Sequence, residues 1–313
     1  MPSVFTRVPA KVILMGEHYV VHGSRAISMA IDSFLYGRLD DDGEGLIRLE
    51  GGGVDEEIHF SVGSSPIARF YRELIKEMGV EKPPSINLEF EFPVSAGLGS
   101  SAAISAAIPS LLIKWLEMRD PTRDELYRYG ERLERYIHGT PSGIDLTTVV
   151  EGGVILFSRE GGLLDRVISL PDGIGILLID SGFRRVTGEL VARVSANLGM
   201  LPQSLNRRLV DAVDTLVGDA WKAILDGYSL ELLELIKSNH YLLKYLGVYT
   251  PGINNIIGML LDKGVEVSKV TGAGGGGCIL VVGDEETLSK AVDVARDLGL
   301  DFLRPNIYPY TLY

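Results

Sequence analysis

A short glycine-rich loop that runs directly into an apolar helix constrains this chain more than any other feature. The loop reads PVSAGLGSSAA over residues 93–103. Gly97 and Gly99 allow its backbone to approach a ligand closely, because neither residue carries a Cβ. Apolar side chains then recur at helical spacing: Ile104, Ile108, Leu111, Leu112 and Trp115. The sequence therefore predicts a helix that begins near Ser100.

The start of this helix is a predicted anion site. The first N–H groups of a helix have no partner within it, and the positive end of the helix dipole lies beside them. Together they most often bind phosphate. Ser100 and Ser101 stand at this point, where one hydroxyl can cap the helix and the other can reach a ligand or a metal ion. No G-x-x-x-x-G-K-[ST] phrase occurs, which excludes a P-loop protein.

Length, charge and cysteine content exclude several classes of protein. A chain of 313 residues can form two domains or one large domain with a substantial core. The net charge of −12 argues against nucleic acid as a partner. The sequence has no run of about 18 apolar residues and no signal peptide, so we expect no contact with a membrane. Cys278 is the single cysteine, which excludes an internal disulfide, and the simplest expectation is a cytoplasmic protein.

The hydrophobic pattern predicts a chain in two parts. Strands are predicted within 3–40, near 60, and over 86–92, 152–158, 173–182, 265–270, 278–282 and 301–307. Helices are predicted over 66–78, 100–118 and 122–138, within 186–262, and over 285–298. The strand–strand–helix–strand order that follows several helices indicates an α+β C-terminal half. We place the domain boundary near residue 170, which divides the chain into residues 1–170 and 171–313.

A second glycine-rich phrase, KVTGAGGGGC over 269–278, also predicts a close approach to a ligand. Gly272, Gly274 and Gly277 formally satisfy the G-x-G-x-x-G dinucleotide fingerprint. That fingerprint requires a helix after it, whereas the residues CILVVG that follow are typical of a strand. A glycine-rich hairpin beside a ligand fits better than a nicotinamide-binding loop.

Three charged residues could carry chemistry. Lys11 lies in an apolar strand, where a buried ammonium needs an anionic partner, and both Asp145 and a phosphate are candidates. Glu134 lies on the flank of a helix's buried stripe, which fits a solvated boundary residue or a metal ligand. Asp145 falls in the first turn of a predicted helix, a position that the helix dipole alone would favour.

Four phrases together resemble the motifs of a known family. PAKVILMGEHYVVHG, PVSAGLGSSAA, ERYIHGTPSGID and KVTGAGGGGC are similar, in order and spacing, to the motifs of the GHMP small-molecule kinases. The resemblance extends from about Val8 to Val282. It implies an α+β, two-domain GHMP kinase fold with a ribosomal-S5-domain-2-like α/β domain first and a ferredoxin-like α+β domain second. The active site would lie in the cleft between them.

The resemblance also implies the roles of individual residues. Asp145 would be the catalytic base and Lys11 its partner, while Ser101 and Glu134 would hold Mg²⁺. The residues around the phosphates of ATP would be Pro93, Val94, Ser95, Ala96, Gly97, Leu98, Gly99, Ser100, Ser101, Ala102 and Ala103. Those around the substrate would be Glu17, His18, Val21, Arg159, Gly272, Ala273 and Gly274.

Within the family, the phrase GEHYVVHG is similar to that of members that phosphorylate mevalonate, so we expect ATP-dependent transfer to the C5 hydroxyl of mevalonate. Kinases for phosphomevalonate, a sugar or homoserine remain alternatives. A related decarboxylase and a kinase for the 3-hydroxyl of mevalonate are disfavoured, because Lys11, Glu134 and Asp145 are all present. A silent ATP or metabolite sensor is a further alternative. The sequence leaves the oligomeric state open, and a homodimer is one of the states it allows.

Overall fold

Two β-sheets follow one another along the chain. In the computed structural model, the described residues are 4–62, 65–184, 194 and 196–310. The first sheet consists of β1 Val4–Met15, β2 Arg25–Asp40, β3 Leu46–Gly51, β4 Val54–His59, β5 Ser85–Phe90, β6 Val154–Ser158 and β7 Gly162–Val167. Its order is β4-β3-β5-β2-β6-β7, with β1 paired to β2. β3 and β5 run parallel, and the other described pairs of this sheet are antiparallel.

Four helices belong to the first part of the chain: α1 Pro66–Glu77, α2 Ser100–Glu117, α3 Arg123–His138 and α4 Ile144–Glu151. Helix α2 contacts β1 and β2 and is buried from Ala102 to Ile113. A helix that is apolar on all sides belongs in the interior of a protein. The core therefore fixes the first turn of α2, which the glycine-rich loop enters.

The second sheet consists of β8 Gly175–Asp180, β9 Ser268–Val270, β10 Cys278–Gly283 and β11 Phe302–Leu303. Its order is β11-β8-β10-β9, and its described pairs are antiparallel. The helices of this part are α5 Gln203–Asp226, α6 Ser229–Tyr245, α7 Pro251–Asp262 and α8 Glu285–Asp297. No helix in the described part of the chain is both long and apolar enough to cross a membrane.

The structure confirms most predicted elements and corrects some. The runs predicted within 3–40 merge into two long strands, and β1 shifts register after Pro9 and after Ile13. The last strand is shorter than predicted, and neither β3 nor β7 was predicted. Within the predicted helical region, residues 186–193 and 195 lie outside the described residues. The change of sheet falls between Val167 and Gly175, and the domain boundary near residue 170 stays a prediction.

After β11, residues 306–310 return to the first sheet. Ile307 forms a bridge with Ile31. The N–H of Tyr308 donates to the carbonyl of Ala30 at 2.9 Å, and the N–H of Gly153 donates to the carbonyl of Tyr308 at 2.7 Å. The last described segment is therefore hydrogen-bonded to β2 and to the turn that precedes β6.

Candidate active site

A cavity of about 750 Å³ lies where the glycine-rich loop, α3, α4 and the glycine turn of the second sheet meet. This volume suits a small-molecule site. Predicted site residues form much of its wall: Lys11, Glu17, His18, Val21, Val94, Ser95, Gly97, Gly99, Ser100, Ser101, Glu134, Asp145, Gly272 and Ala273. A larger hollow of about 1280 Å³ lies elsewhere on the first sheet and is lined by none of them. The candidate site is therefore identified by the residues that line the smaller cavity and not by cavity volume.

The glycine-rich loop reaches α2 through two glycines in the left-handed region, Gly97 with φ 91° and Gly99 with φ 80°. Helix α2 begins at Ser100, as predicted, and its N-cap is Gly99. The prediction that a serine hydroxyl caps the helix is wrong, because the cap position has no side chain. The first-turn N–H groups are therefore left to a ligand at the cavity wall, as an anion site requires.

The same loop packs on Lys11. A Cβ on Gly99 would lie 2.7 Å from Lys11 Cγ and 2.9 Å from Lys11 Cε. The N–H of Lys11 donates to the carbonyl of Leu98 at 3.0 Å. The glycine is therefore required at this point for the lysine stem to lie against the glycine-rich loop.

Lys11 and Asp145 form an ion pair. Lys11 is 2% exposed on β1, and its Nζ lies 2.8 Å from Oδ1 of Asp145, the second residue of α4. Of the two partners that the sequence allowed for the lysine, the structure gives the aspartate. Asp145 Oδ1 is buried and accepts no hydrogen bond of good geometry from the described residues. The ion pair leaves part of the Asp145 side chain, which is 30% exposed, on the wall of the cavity.

Glu134 lies within the wall beside this pair. Its side chain is 5% exposed, which excludes the solvated boundary position that its spacing also allowed. Ser105 Oγ donates to Glu134 Oε1 at 3.3 Å. His138 Nε2 lies 3.0 Å from Ser101 Oγ and 4.0 Å from Glu134 Oε2. The hydroxyl of Ser101 and the carboxylate of Glu134 thus share one corner of the cavity.

The electrostatics of this corner favour a cation. Burial and, after it, the negative charge of Asp145 raise the pKa of Glu134 to about 7, while the hydroxyls of Ser101 and Ser105 and the charge of Lys11 oppose the shift. Burial lowers the pKa of His138, so the imidazole is neutral near pH 7. A carboxylate that is costly to ionise when buried gains most from a bound cation.

Glu17 takes part in a second buried ion pair, with Lys269 of β9, in which both side chains are 1% exposed. Lys269 Nζ donates to Glu17 Oε1, and Asn239 Nδ2 donates to Glu17 Oε2 at 3.1 Å. Burial lowers the pKa of Lys269, and the charge of Glu17 opposes that shift. The cavity thus has one ion pair inside the first part of the chain and another that joins the two parts.

The remaining predicted residues differ in where they lie. His18 Nε2 is 2.9 Å from the carbonyl of Ala273, so two predicted substrate contacts touch each other. Arg159 is exposed and is not on the cavity wall, and its Nη1 donates to the carbonyl of Val21 at 3.3 Å. Gly274 packs against Val248 instead of the cavity. The loop residues that the wall does not include are Pro93, Ala96, Leu98, Ala102 and Ala103.

Sequence reasoning missed Lys269 and Asn239. For Lys269 the signal was present, because it stands among apolar residues in KVTGAGGGGC, just as Lys11 does in its own strand. The rule that a lysine in a core strand needs an anionic partner applies to both. Asn239 gave no such signal. It is a polar residue on a helix, and its side chain is buried only because the first part of the chain packs against that helix.

Comparisons with known proteins agree with this geometry. The sequence model of the GHMP kinase N-terminal domain matches residues 65–153, and that of the GHMP kinase C-terminal domain matches residues 222–299. A mevalonate kinase of Thermococcus sibiricus is 30% identical over 95% of this chain and 95% of its own length. Among solved structures, Leishmania major mevalonate kinase in complex with R-mevalonate superimposes with a TM-score of 0.81 at 22% identity, covering 99% of this chain and 97% of that one.

A galactokinase of Lactococcus lactis, complexed with galactose, superimposes nearly as well, with a TM-score of 0.77 at 18% identity over 99% of this chain and 94% of that one. The fold alone therefore does not select a substrate. Both sequence models and the Thermococcus relative agree, and the chain belongs to the GHMP kinase family.

Proposed function

We propose that this protein transfers the γ-phosphoryl group of ATP to the C5 hydroxyl of mevalonate. One observation carries the proposal: the Lys11–Asp145 ion pair lies in the same cavity wall as the free start of α2. A base and an anion site side by side are what phosphoryl transfer to an alcohol requires. The 30% identity to a mevalonate kinase over nearly the whole chain supports mevalonate as the alcohol.

The loop that precedes α2 would bind the phosphates of ATP. Backbone N–H groups at the start of α2 would donate to phosphate oxygens, and the helix dipole would favour their negative charge. Gly97, Gly99, Ser100 and Ser101 all line the cavity, so these groups are accessible to a ligand.

The corner formed by Ser101 and Glu134 fits Mg²⁺. Among the described residues, no three His, Cys, Asp or Glu side chains come together as a metal cage. Mg²⁺ is commonly bound by one or two protein oxygens together with substrate phosphates, and a buried carboxylate beside a hydroxyl supplies that set. When bound, the ion would neutralise charge on the phosphates.

Asp145 would accept the proton of the alcohol. As the alcohol oxygen bonds to the γ-phosphorus, the bond from that phosphorus to the β,γ-bridging oxygen breaks and ADP leaves. The hydroxyl proton passes to the Asp145 carboxylate, whose side chain is 30% exposed and lines the cavity, while its buried Oδ1 faces Lys11. Lys11, 2.8 Å away, would stabilise the charge that develops on the alcohol oxygen.

The alcohol itself would lie between the first part of the chain and the glycine turn of the second. His18 and Val21 line one side, and Gly272 and Ala273 line the other. The carboxylate of mevalonate would still need a cationic partner. Arg159 stays the predicted one, although the turn after β6 would have to bring its guanidinium toward the cavity from its exposed position.

A side-by-side assay tests the substrate. ADP release is measured with mevalonate, phosphomevalonate, galactose and homoserine, and ³¹P–¹H NMR locates the phosphate in the product. We expect turnover with mevalonate and a phosphate on the primary C5 oxygen. A product phosphorylated on the tertiary hydroxyl, or turnover of a sugar alone, would refute the proposal.

A second test concerns the metal corner. Glu134→Gln keeps the shape of the side chain and removes its charge, so the Mg²⁺ concentration for half-maximal activity should rise roughly tenfold, the effect of about 1.4 kcal/mol. Glu131→Gln is the matched control, because Glu131 lies on the same helix and pairs on the surface with Arg135. The Mg²⁺-dependent thermal shift with a non-hydrolysable ATP analogue gives a readout without turnover. Equal Mg²⁺ dependence in the two variants would mean that Glu134 does not bind the metal ion and has only a structural role.

A further inference from the structure

The cleft is crossed by a buried polar network that none of the roles assigned so far explains. Its centre is the carboxylate of Glu17, which is 1% exposed. One oxygen accepts from Lys269 Nζ and the other from Asn239 Nδ2, and both donors belong to the second part of the chain. A ligand in the cavity has almost no access to this carboxylate, although Glu17 contributes to the wall.

The network extends along both sides of the cleft. Lys269 Nζ also donates to the carbonyl of Ile13 at 3.3 Å. The N–H of Ile13 donates to Thr271 Oγ1 at 3.1 Å, and that hydroxyl donates back to the carbonyl of Ile13 at 3.3 Å. Asn239 Oδ1 accepts from the N–H of Gly16 at 3.5 Å. The end of β1 is therefore fixed to β9 and to α6.

Two loops leave this network toward the alcohol side of the cavity. Residues 16–18 follow β1, and their His18 meets the carbonyl of Ala273 at 2.9 Å. Residues 271–277 follow β9 and form the glycine turn. The turn also touches the phosphate-binding loop, because the N–H of Cys278 donates to the carbonyl of Ala96 at 2.9 Å and a Cβ on Gly277 would lie 2.4 Å from that oxygen.

From this geometry we propose that Lys269 is a positioning residue: with Glu17 and Asn239 it holds loop 16–18 and the glycine turn at the separation that the alcohol needs. Glu17 then acts through its neighbours and does not contact the substrate. The inference rests on the proposed function for the identity of the alcohol, and on the described contacts for the network itself. The phosphate-binding loop meets the glycine turn at Ala96, but Lys11 also holds it through Leu98, and that bond does not depend on the network. We therefore expect alcohol binding to be more sensitive to the network than ATP binding.

Removing one charge of the pair should damage alcohol binding selectively. Lys269→Met leaves the Glu17 carboxylate buried without its cation, and Glu17→Gln leaves the ammonium without its anion. We expect each variant to raise the KM for the alcohol roughly tenfold and to change the KM for ATP less than about twofold. The double variant buries no unpaired charge, so its rise in KM should be smaller than the product of the single effects.

A matched control separates positioning from simple loss of stability. Asp214 on α5 pairs with Arg25 at the start of β2, with both side chains about one-third exposed and neither on the cavity wall. Asp214→Asn therefore weakens another contact between the two parts of the chain. It should lower the melting temperature and leave the KM for the alcohol unchanged.

Hydrogen exchange provides a readout that needs no turnover. In the ligand-free single variants, the amides of 16–22 and of 271–277 should exchange faster together, while Asp214→Asn leaves both segments unchanged.

If Lys269→Met does not fold, the double variant is compared with Asp214→Asn in its place. If the wild-type enzyme consumes another alcohol of the panel, the kinetics are repeated with that alcohol, so a wrong substrate is not mistaken for a wrong network. An alcohol KM no higher than that of Asp214→Asn, with unchanged exchange in the two loops, would overturn the proposal.

Discussion

Asp145 and Lys11 are far apart in the sequence and meet because α4 begins beside β1. Asp145→Asn keeps the size of the side chain and removes the base together with its charge. If the carboxylate accepts the hydroxyl proton, kcat should fall by roughly 10²–10⁴-fold, the usual effect of losing a general base. The KM for ATP should change little, since the phosphate-binding loop and Glu134 are untouched. Steady-state kinetics on a variant with a normal melting temperature decide the question.

The partner lysine provides the check. Lys11→Met should lose a comparable factor, and the double variant should lose less than the product of both, because the two residues act as a unit. Independent, multiplicative losses would mean that the 2.8 Å contact has no part in the reaction. A folded Asp145→Asn enzyme with near-normal turnover would contradict the mechanism directly.

For single residues, the sequence predicted which side chains belong to the site better than it predicted their burial or their partners. It pointed to Lys11, Glu134 and Asp145 from their residue types and positions. It left two partners open for the lysine and two roles open for Glu134, because burial of a flanking position depends on what packs across it. The structure decides the burial of Glu134, which is 5% exposed. The guanidinium of Arg159 is exposed and lies off the cavity wall, so its role as the partner of the substrate carboxylate stays a prediction.

Among the elements, the glycine-rich loop before α2 is the one in which backbone conformation and the proposed chemistry depend on each other most closely. Gly99→Ala should cost about 1–2 kcal/mol for a residue with a Cβ in the left-handed region. It should also displace the Lys11 stem, because the new Cβ would lie 2.7 Å from Lys11 Cγ. We therefore expect kcat to fall well beyond any change explained by stability, as measured by turnover alongside thermal melting.

Gly79→Ala is the control for that variant. Gly79 has φ +69°, and a Cβ there would meet no atom within 4 Å. It shares the conformational cost without the steric one and lies away from the cavity. Equal losses of turnover in the two variants would show that the loss at Gly99 comes from the conformational cost alone and not from displacement of Lys11.

Local signals predicted the elements that have strong periodicity and missed those that lack it. Helix α2 is apolar throughout and preceded by glycines, so its start was predicted at the correct residue. Strand β7 was missed because Leu163 and Leu164 are both exposed and its pattern shows no buried face. Strand β11 is only two residues long, since pairing with β8 ends at Leu303 and the chain then turns toward the first sheet.

Over the whole molecule, the order of predicted strands and helices was enough to anticipate an α+β second half. It could not anticipate how the two parts are joined. The pairs Arg25–Asp214 and Glu17–Lys269 are contacts between distant residues, and neither partner carries a local sign of the other. The oligomeric state, for which a homodimer stays a prediction, belongs to the same class of long-range questions.

The segment 306–310 has a consequence for the time course of biosynthesis. Its hydrogen bonds with Ala30 and Gly153 complete the first sheet, yet its residues are translated after the entire second sheet. When residues 1–170 have emerged from the ribosome, they contain every strand of the first sheet but still lack the segment that is hydrogen-bonded to β2. We therefore expect the first half of the nascent chain to stay less resistant to proteases until residues 306–310 have also emerged, so that the two halves mature together rather than one after the other.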